Sequence, residues 1–235
     1  MPLTIGLLTF PDVQQLDLTA PYEVFVGIPE ARVHLVAADR APVTSSTGLV
    51  LAPTLAMADC PQLDVLCVPG GLGVNPLMRD AAVLAFLRQQ AEHARYVTSV
   101  CTGTLVLGAA GLLRGRRATT HWASLDLLAA FGAIPVSERV VRDGNLLTGG
   151  GVTAGIDFAL TLAAELSGRP AAEAIQLGLE YAPAPPFAAG TPAGAGPAVL
   201  AAVRRRLAPG RAERERIVGT ITGATGIVPW GPAGP

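Results

Sequence analysis

One cysteine stands at a point in the chain where a thiol can become reactive. The apolar segment Tyr96–Val100 predicts a buried strand, and Gly103 opens a helical segment, Thr104–Leu113. Cys101 and Thr102 therefore occupy a sharp strand-to-helix turn, which lifts a side chain above the sheet edge and over the free N–H groups of the helix. Such a position lowers a thiol pKa. We interpret Cys101 as a nucleophile rather than as a small buried residue, and expect it to react as a thiolate.

A carboxylate follows the first predicted strand, Leu3–Phe10. Asp17 is flanked by Leu16 and Leu18, and Thr19 is available as the N-cap of the next helix, so Asp17 is not needed as a cap. A buried carboxylate needs a partner. In a partly dry cleft beside a thiol its pKa would rise, and it could shuttle a proton. We therefore predict a catalytic role for Asp17.

Two glycines follow the predicted strand Leu63–Val68. Gly70 and Gly71 can form a simple tight turn. Alternatively, their backbone N–H groups can approach a reacting atom closely enough to form an oxyanion hole, because no side chain intervenes. We favour the oxyanion role, with the N–H of Thr102 as the second donor.

The remaining candidate groups are less specific. His121 is either the base of a Cys–His pair or a structural residue, and the sequence does not favour one over the other. Cys67, inside a strand, is predicted to be inert, and Cys60 incidental. No His/Cys/Asp spacing resembles a metal site, so no metal or organic cofactor is expected. The run Gly149-Gly150-Gly151 precedes a helix but lacks the Lys-Ser/Thr of a phosphate-binding loop, which makes nucleotide binding unlikely to be its role.

Alternating strands and helices position these groups. Further strands are predicted at Arg32–Ala38 and Arg117–Thr120, with hairpins at Val43–Leu51 and at Glu138–Arg142 with Leu146–Thr148. Helices are predicted at Thr19–Ile28, Ala81–Ala94, Trp122–Phe131, Thr153–Leu166 and Ala171–Leu179. Repeated β–α units with short connections predict an α/β fold with a doubly wound, mostly parallel sheet of the flavodoxin-like kind, flanked by helices. Reactive groups then gather at the carboxyl ends of the strands.

The composition changes near residue 182. We predict one α/β domain over residues 1–181, followed over residues 182–235 by a Pro-rich segment and a helical tail. Helical pieces are expected at Ala198–Leu207 and Arg211–Ile221, with Arg204-Arg205-Arg206 at a solvated helix end and Trp230 holding the terminus.

Composition limits the possible partners. The chain has 235 residues, of which 50% are hydrophobic and 15% charged, with a net charge of −1. This gives no electrostatic basis for binding nucleic acid, and no apolar run is long enough to span a membrane. Three cysteines without a framework spacing, and no secretory leader, indicate a cytoplasmic protein with free thiols.

Several segments resemble the PfpI-like branch of the class I glutamine amidotransferase-like superfamily. They cover about residues 3 to 192 and are Gln14–Thr19, Pro69–Gly71, Thr98–Gly103, Ala118–Trp122, Asn145–Gly151 and Leu179–Phe187. Within that branch they look most like the members that hydrate isocyanides. Asp17 together with Cys101-Thr102 and the Pro-Pro-Phe segment is the most specific part of the match.

The resemblance implies a function. It implies a cofactor-free lyase that adds water to a small isocyanide and releases an N-substituted formamide through a thioimidate on Cys101, in a homodimer. PfpI-type proteases carry a catalytic histidine directly after the cysteine, where this chain has Thr102, so peptide hydrolysis is not expected. Glyoxalase-like members use a glutamate beside the cysteine, a role that the resemblance gives to Asp17.

Two other functions fit the same segments. Similar domains form the ligand-sensing part of AraC-type transcription regulators, which continue into two helix-turn-helix units of roughly a hundred residues. Only about forty residues follow the Pro-rich segment here. A third possibility is a redox or carbonyl-stress protein that uses the same cysteine.

Overall fold

A computed structural model describes residues 2–224 of the protein. The predicted role of Trp230 lies outside these residues. The strands are β1 (Leu3–Leu8), β2 (Ala31–Ala37), β3 (Val43–Thr44), β4 (Val50–Leu51), β5 (Leu55–Ala56), β6 (Val65–Val68), β7 (Tyr96–Val100), β8 (Arg117–Ala118), β9 (Ile134–Pro135), β10 (Val140–Asp143) and β11 (Leu146–Gly149). The α-helices are α1 (Gln15–Val26), α2 (Val74–Leu77), α3 (Ala81–His93), α4 (Gly103–Ala109), α5 (Ala154–Ser167), α6 (Arg169–Gly178) and α7 (Pro197–Thr222). Two 3₁₀ helices span Met57–Asp59 and Trp122–Phe131.

The central sheet has seven strands in the order β10-β11-β7-β6-β1-β2-β5. All neighbouring pairs are parallel except β10 with β11, which form a hairpin. Strands β1, β6 and β7 lie next to one another, so their carboxyl ends open at one edge of the sheet. This confirms the predicted doubly wound α/β fold and explains why groups after three distant strands meet.

Helices cover both faces of the sheet. On one face α1 packs against α5, and the rings of Phe25 and Phe158 meet edge to face with centroids 6.1 Å apart. On the other face α4 contacts β6, β7 and the Trp122–Phe131 helix. Strands β6 and β7 are buried on both sides except at Tyr96, so β6 is a continuous apolar run and the buried hydroxyl groups of Thr98 and Ser99 in β7 are hydrogen-bonded.

The predicted start of the first helix is wrong. Helix α1 begins at Gln15, four residues earlier than expected, and its N-cap Gln14 makes no side-chain cap bond. Thr19 lies inside the helix, where its hydroxyl donates to Gln15 Oε1 at 3.0 Å. Asp17 is therefore in the first helical turn, where the N-terminal dipole favours a negative charge.

The C-terminal region is one helix where two pieces were predicted. Helix α7 runs through Pro209, and Arg204-Arg205-Arg206 lies inside it, so the expectation of a helix end there is wrong. The helix packs against the Trp122–Phe131 helix and α2. The division of the chain at residue 182 stays a prediction.

Candidate active site

Cys101 lies at the strand-to-helix turn that the sequence predicts, with a backbone that few residues adopt. Its φ is 55°, in the left-handed region, which costs a non-glycine residue about 1 to 3 kcal/mol. Its N–H donates to the carbonyl oxygens of Gly149 and Gly150 at 3.1 and 2.8 Å. Its carbonyl oxygen accepts the hydroxyl of Thr120 at 2.6 Å. Two segments outside the turn therefore hold the strained conformation in place.

Gly103 is required for the tightness of this turn. A Cβ there would overlap the carbonyl oxygens of Val68 and Pro69, which end the neighbouring strand. Because glycine has no Cβ, α4 can start directly against β6. The Cys-Thr-Gly sequence is thus explained by local geometry as well as by chemistry.

Asp17 is fully buried and lies against the thiol of Cys101. Its Oδ2 accepts the N–H of Gly70 at 3.0 Å. Its Oδ1 is also buried, and no residue of the described chain donates a hydrogen bond to it. A buried carboxylate oxygen without a donor is costly, and a proton on the carboxyl group removes that cost.

The glycine pair binds side chains of the site. A Cβ on Gly70 would stand 2.6 Å from both Asp17 Oδ2 and the nitrogen of Thr102, so only glycine fits. The N–H of Gly71 donates to Thr102 Oγ1 at 3.1 Å. Both N–H groups thus position the carboxylate and the hydroxyl of the site. The oxyanion role of Gly70, Gly71 and Thr102 stays a prediction.

The titration of the Cys101–Asp17 pair differs from the sequence-based expectation. Burial raises the pKa of Asp17 to about 7, against lowering contributions from Cys101 and the Gly70 N–H. Burial, then the Asp17 charge, raise the pKa of the Cys101 thiol well above its usual range, although the Thr102 N–H and Arg214 oppose this. The expected lowering by the helix N-terminus is therefore wrong. Two acids in contact lose protons in steps that belong to the pair, so the pair holds one proton over a wide pH range above about 7.

His121 belongs to the support of the site. Its Nδ1 accepts the N–H of Ala123 at 3.2 Å, which caps the Trp122–Phe131 helix. Burial and then the charge of Arg214 lower its pKa to about 4, so the imidazole is neutral near pH 7. Of the two alternatives left open by the sequence, the contacts agree with the structural one.

Sequence reasoning did not single out two arginines of α7 that are buried, and one of them, Arg214, is a functional candidate. Arg211 is 1% exposed and Arg214 is 7% exposed. Together with Ile217 and Val218 they form one face of the helix. The helical spacing of these four positions was the available signal, but arginine is so rarely buried that the positions read as solvated.

Within residues 2–224, no group of three or more His, Cys, Asp and Glu side chains is arranged to hold a metal ion. None of the helices in that part of the chain has the length and apolar character needed to cross a membrane.

Known proteins resemble this chain along most of its length. It is 66% identical over 209 residues to an isonitrile hydratase of Pseudomonas putida, covering 89% of this chain and 92% of the relative. It is 31% identical over 182 residues to the HTH-type transcriptional regulator GbdR of Pseudomonas aeruginosa, covering 74% of this chain and 49% of the regulator. The crystal structure of a ThiJ/PfpI family protein from Pseudomonas syringae superposes with a TM-score of 0.91 at 43% identity, covering 93% of this chain and 91% of that one.

The predicted family is confirmed by a match that includes the whole site. The sequence model of the DJ-1/PfpI family matches residues 4–165, which contain Asp17, the glycine pair, the Cys101 turn and His121. The position of Cys101 at a strand-to-helix turn and the surrounding α/β sheet agree with this match. The chain belongs to the DJ-1/PfpI family.

Proposed function

We propose that this protein is an isocyanide hydratase, a lyase that converts an isocyanide, R–N≡C, and water into the formamide R–NH–CHO. The observation that carries the proposal is a buried thiol in contact with a buried carboxyl group, in a chain 66% identical to an isonitrile hydratase. The terminal carbon of an isocyanide accepts both a nucleophile and a proton. A Cys101–Asp17 pair that holds one proton supplies both, with sulfur as the nucleophile and the carboxyl group as the proton donor.

In the first step the Cys101 sulfur attacks the terminal carbon while Asp17 delivers the shared proton to the same carbon. A C–S bond and a C–H bond form, and the product is the thioimidate R–N=CH–S–Cys101, with Asp17 ionised. The raised pKa of Asp17, about 7, suits a proton donor near neutral pH.

In the second step water attacks the thioimidate carbon. The Asp17 carboxylate accepts one proton of the water, and the other stays on the new hydroxyl group. The former imine nitrogen then takes that proton from Asp17. As the C–S bond breaks, its electron pair returns to sulfur and the hydroxyl proton passes to Asp17, which releases R–NH–CHO and restores the pair with one proton between sulfur and oxygen. We assign the stabilisation of charge that develops on the way to Thr102, whose hydroxyl oxygen accepts from the Gly71 N–H, and to the backbone N–H of Thr102.

A direct assay tests the proposal. The purified protein is incubated with an aryl or alkyl isocyanide, and formamide is followed by absorbance and mass spectrometry, with Cys101→Ala as the matched control. Formamide formation by the parent alone is expected. Turnover of methylglyoxal without turnover of isocyanide would instead assign the chain to carbonyl scavenging.

We further propose that two copies form a homodimer in the cytoplasm. A shallow groove beside α1, lined by Leu16, Ala20, Leu179 and Tyr181, offers apolar surface to a second copy. All three cysteines are free thiols, as a reducing compartment favours. Light scattering should give a molar mass twice that of the chain, and Leu179→Glu should reduce the measured mass to that of a single chain. A single-chain mass for the parent would overturn the dimer.

A further inference from the structure

The C-terminal helix carries charge into the interior near the site. Four residues of α7 are buried: Arg211, Arg214, Ile217 and Val218. A guanidinium retains its charge even when buried, and the cost of burial must be met by partners. The partners of the two arginines differ.

Arg211 is neutralised by carboxylates. Its Nη1 and Nη2 donate to the two oxygens of Asp126 at 2.7 and 2.6 Å, and its Nε donates to Glu215 at 2.7 Å. A further bond runs to the carbonyl oxygen of Ala123 at 2.7 Å. This arginine anchors α7 to the Trp122–Phe131 helix.

Arg214 has neutral hydrogen-bond acceptors. Its Nε donates to Asn75 Oδ1 at 3.2 Å, and its Nη1 donates to Ser124 Oγ at 3.0 Å. The carboxylate of Glu213 accepts from Asn75 Nδ2 at 3.2 Å and acts on Arg214 through its charge, but no carboxylate of the described chain lies within ion-pair distance of the Arg214 guanidinium. A buried positive charge without a carboxylate in contact acts on the other ionisable groups around it.

The two acceptors of Arg214 lie shortly after residues that hold the candidate site. Asn75 lies in α2, four residues after Gly71, whose N–H holds Thr102. Ser124 lies four residues after Thr120, whose hydroxyl holds the Cys101 carbonyl. Arg214 thus joins the two segments that follow these residues. Burial raises the pKa of Cys101 and lowers that of His121; the charge of Arg214 opposes the first shift and adds to the second.

We propose that Arg214 is a positioning residue of the Cys101 site: from α7 its buried guanidinium braces the Asn75 and Ser124 segments and favours the form of the Cys101–Asp17 pair that carries the charge on sulfur and the proton on oxygen. This proposal rests on the proposed function for its meaning in catalysis. That form is the one that the first step consumes, since sulfur attacks and the carboxyl group delivers the proton. Once the C–S bond has formed, the sulfur is neutral, and the positive charge of Arg214 no longer stabilises it.

The test reads the thiol directly. Alkylation of Cys101 by iodoacetamide is followed by mass spectrometry from pH 5.5 to 9 in the parent, Arg214→Gln, Arg214→Met and Arg214→Lys. Loss of the charge should move the alkylation profile up by about one pH unit, which is about a tenfold lower rate at pH 7. Arg214→Lys keeps the charge and should stay within about threefold of the parent.

Arg211→Gln is the matched control on the same helix face. It should lower the melting temperature because it removes three charge-assisted bonds, and it should leave the alkylation profile unchanged. Three outcomes would overturn the electrostatic role and leave Arg214 as a structural residue only. The first is an unshifted alkylation profile in Arg214→Gln and Arg214→Met. The others are alkylation slowed as much in Arg214→Lys as in the uncharged variants, and loss of the fold in both uncharged variants. Because alkylation needs no isocyanide, a parent that alkylates as described but forms no formamide would overturn only the proposed function.

Discussion

Cys67 and Cys101 are both buried thiols of the central sheet, on neighbouring strands. Cys67 lies inside β6, paired in register with Thr98, whereas Cys101 follows the last residue of β7. Burial raises the pKa of both thiols, that of Cys67 to about 12. The difference is the contact with Asp17: its carboxyl group hydrogen-bonds Cys101 and acts on Cys67 only through its charge.

Burial by itself therefore does not distinguish the two cysteines, whereas their backbone and their neighbours do. A strand holds its side chain between sheet and helices, with regular backbone angles and no access for a reactant. The turn after β7 has a φ of 55° and places the next N–H against the sulfur. Because Asp17 contacts the Cys101 thiol, the proton can move from sulfur to the carboxylate, and the pair keeps a single negative charge inside the site.

Replacing each cysteine with alanine should give the largest difference in turnover between the Cys101 and Cys67 positions. Cys101→Ala should lower formamide formation by about 10⁴-fold or more, since the bond-making atom is lost. Cys67→Ala should keep turnover within a few-fold, with a cost of about 1 kcal/mol or more in stability from the cavity. Measured kcat and urea unfolding check both. A dead Cys67→Ala enzyme with a native melting curve would break the comparison.

Asp17→Asn should remove the feature that distinguishes the two thiols. The amide keeps the shape but cannot deliver a proton to carbon, and general acid–base help is worth about 10² to 10⁴ in rate. Steady-state kinetics of the variant measure this. The matched control is Asp59→Asn, which removes an exposed carboxylate, leaves Asp17 intact and should retain turnover. Turnover of Asp17→Asn within a few-fold of the parent would reduce Asp17 to a structural role.

The pH dependence of reactivity should differ between the two thiols. The pair loses its first proton near the pKa of Asp17, about 7, so kcat/KM and Cys101 alkylation should both rise about tenfold per unit toward that pH and then level off. Cys67, with a pKa of about 12, should stay unlabelled in the native protein up to pH 9. Equal labelling of both thiols at every pH would contradict the assignment.

The smallest expected effect is on stability. The pKa of Asp17 is raised from 3.8 unfolded to about 7 folded, so its contribution to stability is present below pH 4 and is lost as the pH rises through 7. Asp17→Asn should therefore become more stable relative to the parent between pH 4 and pH 8, by at most about 4 kcal/mol. Urea titrations at the two pH values measure this. A difference that does not change with pH would show that Asp17 keeps its ordinary pKa.

Much of the site could be predicted from local patterns. The apolar run of β7, followed by Cys-Thr-Gly and a helical segment, predicts the turn because strand and helix periodicities are local properties. The order of β–α units predicts the sheet, and the sheet brings Asp17, Gly70 and Cys101 to one edge. The family itself was also recognisable from these motifs.

Charge and capping could not be predicted in the same way. Thr19 has the chemistry of a cap, yet the helix begins at Gln15, because tertiary contacts of Asp17 extend it. The pKa of Cys101 depends on burial and on a carboxylate 84 residues away in the chain, which outweigh the helix N-terminus.

The sequence by itself determined the elements and their alternation and marked Cys101 as the candidate nucleophile, since these follow from residues next to one another. Only the tertiary structure decided that Gly70 and Gly71 hold Asp17 and Thr102, and that His121 caps a helix. It also decided that Arg214 is buried, because the helical spacing within α7 marks a buried face but does not name the residues that face contacts. The physical reason is that electrostatic and hydrogen-bond partners are chosen by distance in space, and folding brings together groups that the sequence keeps far apart.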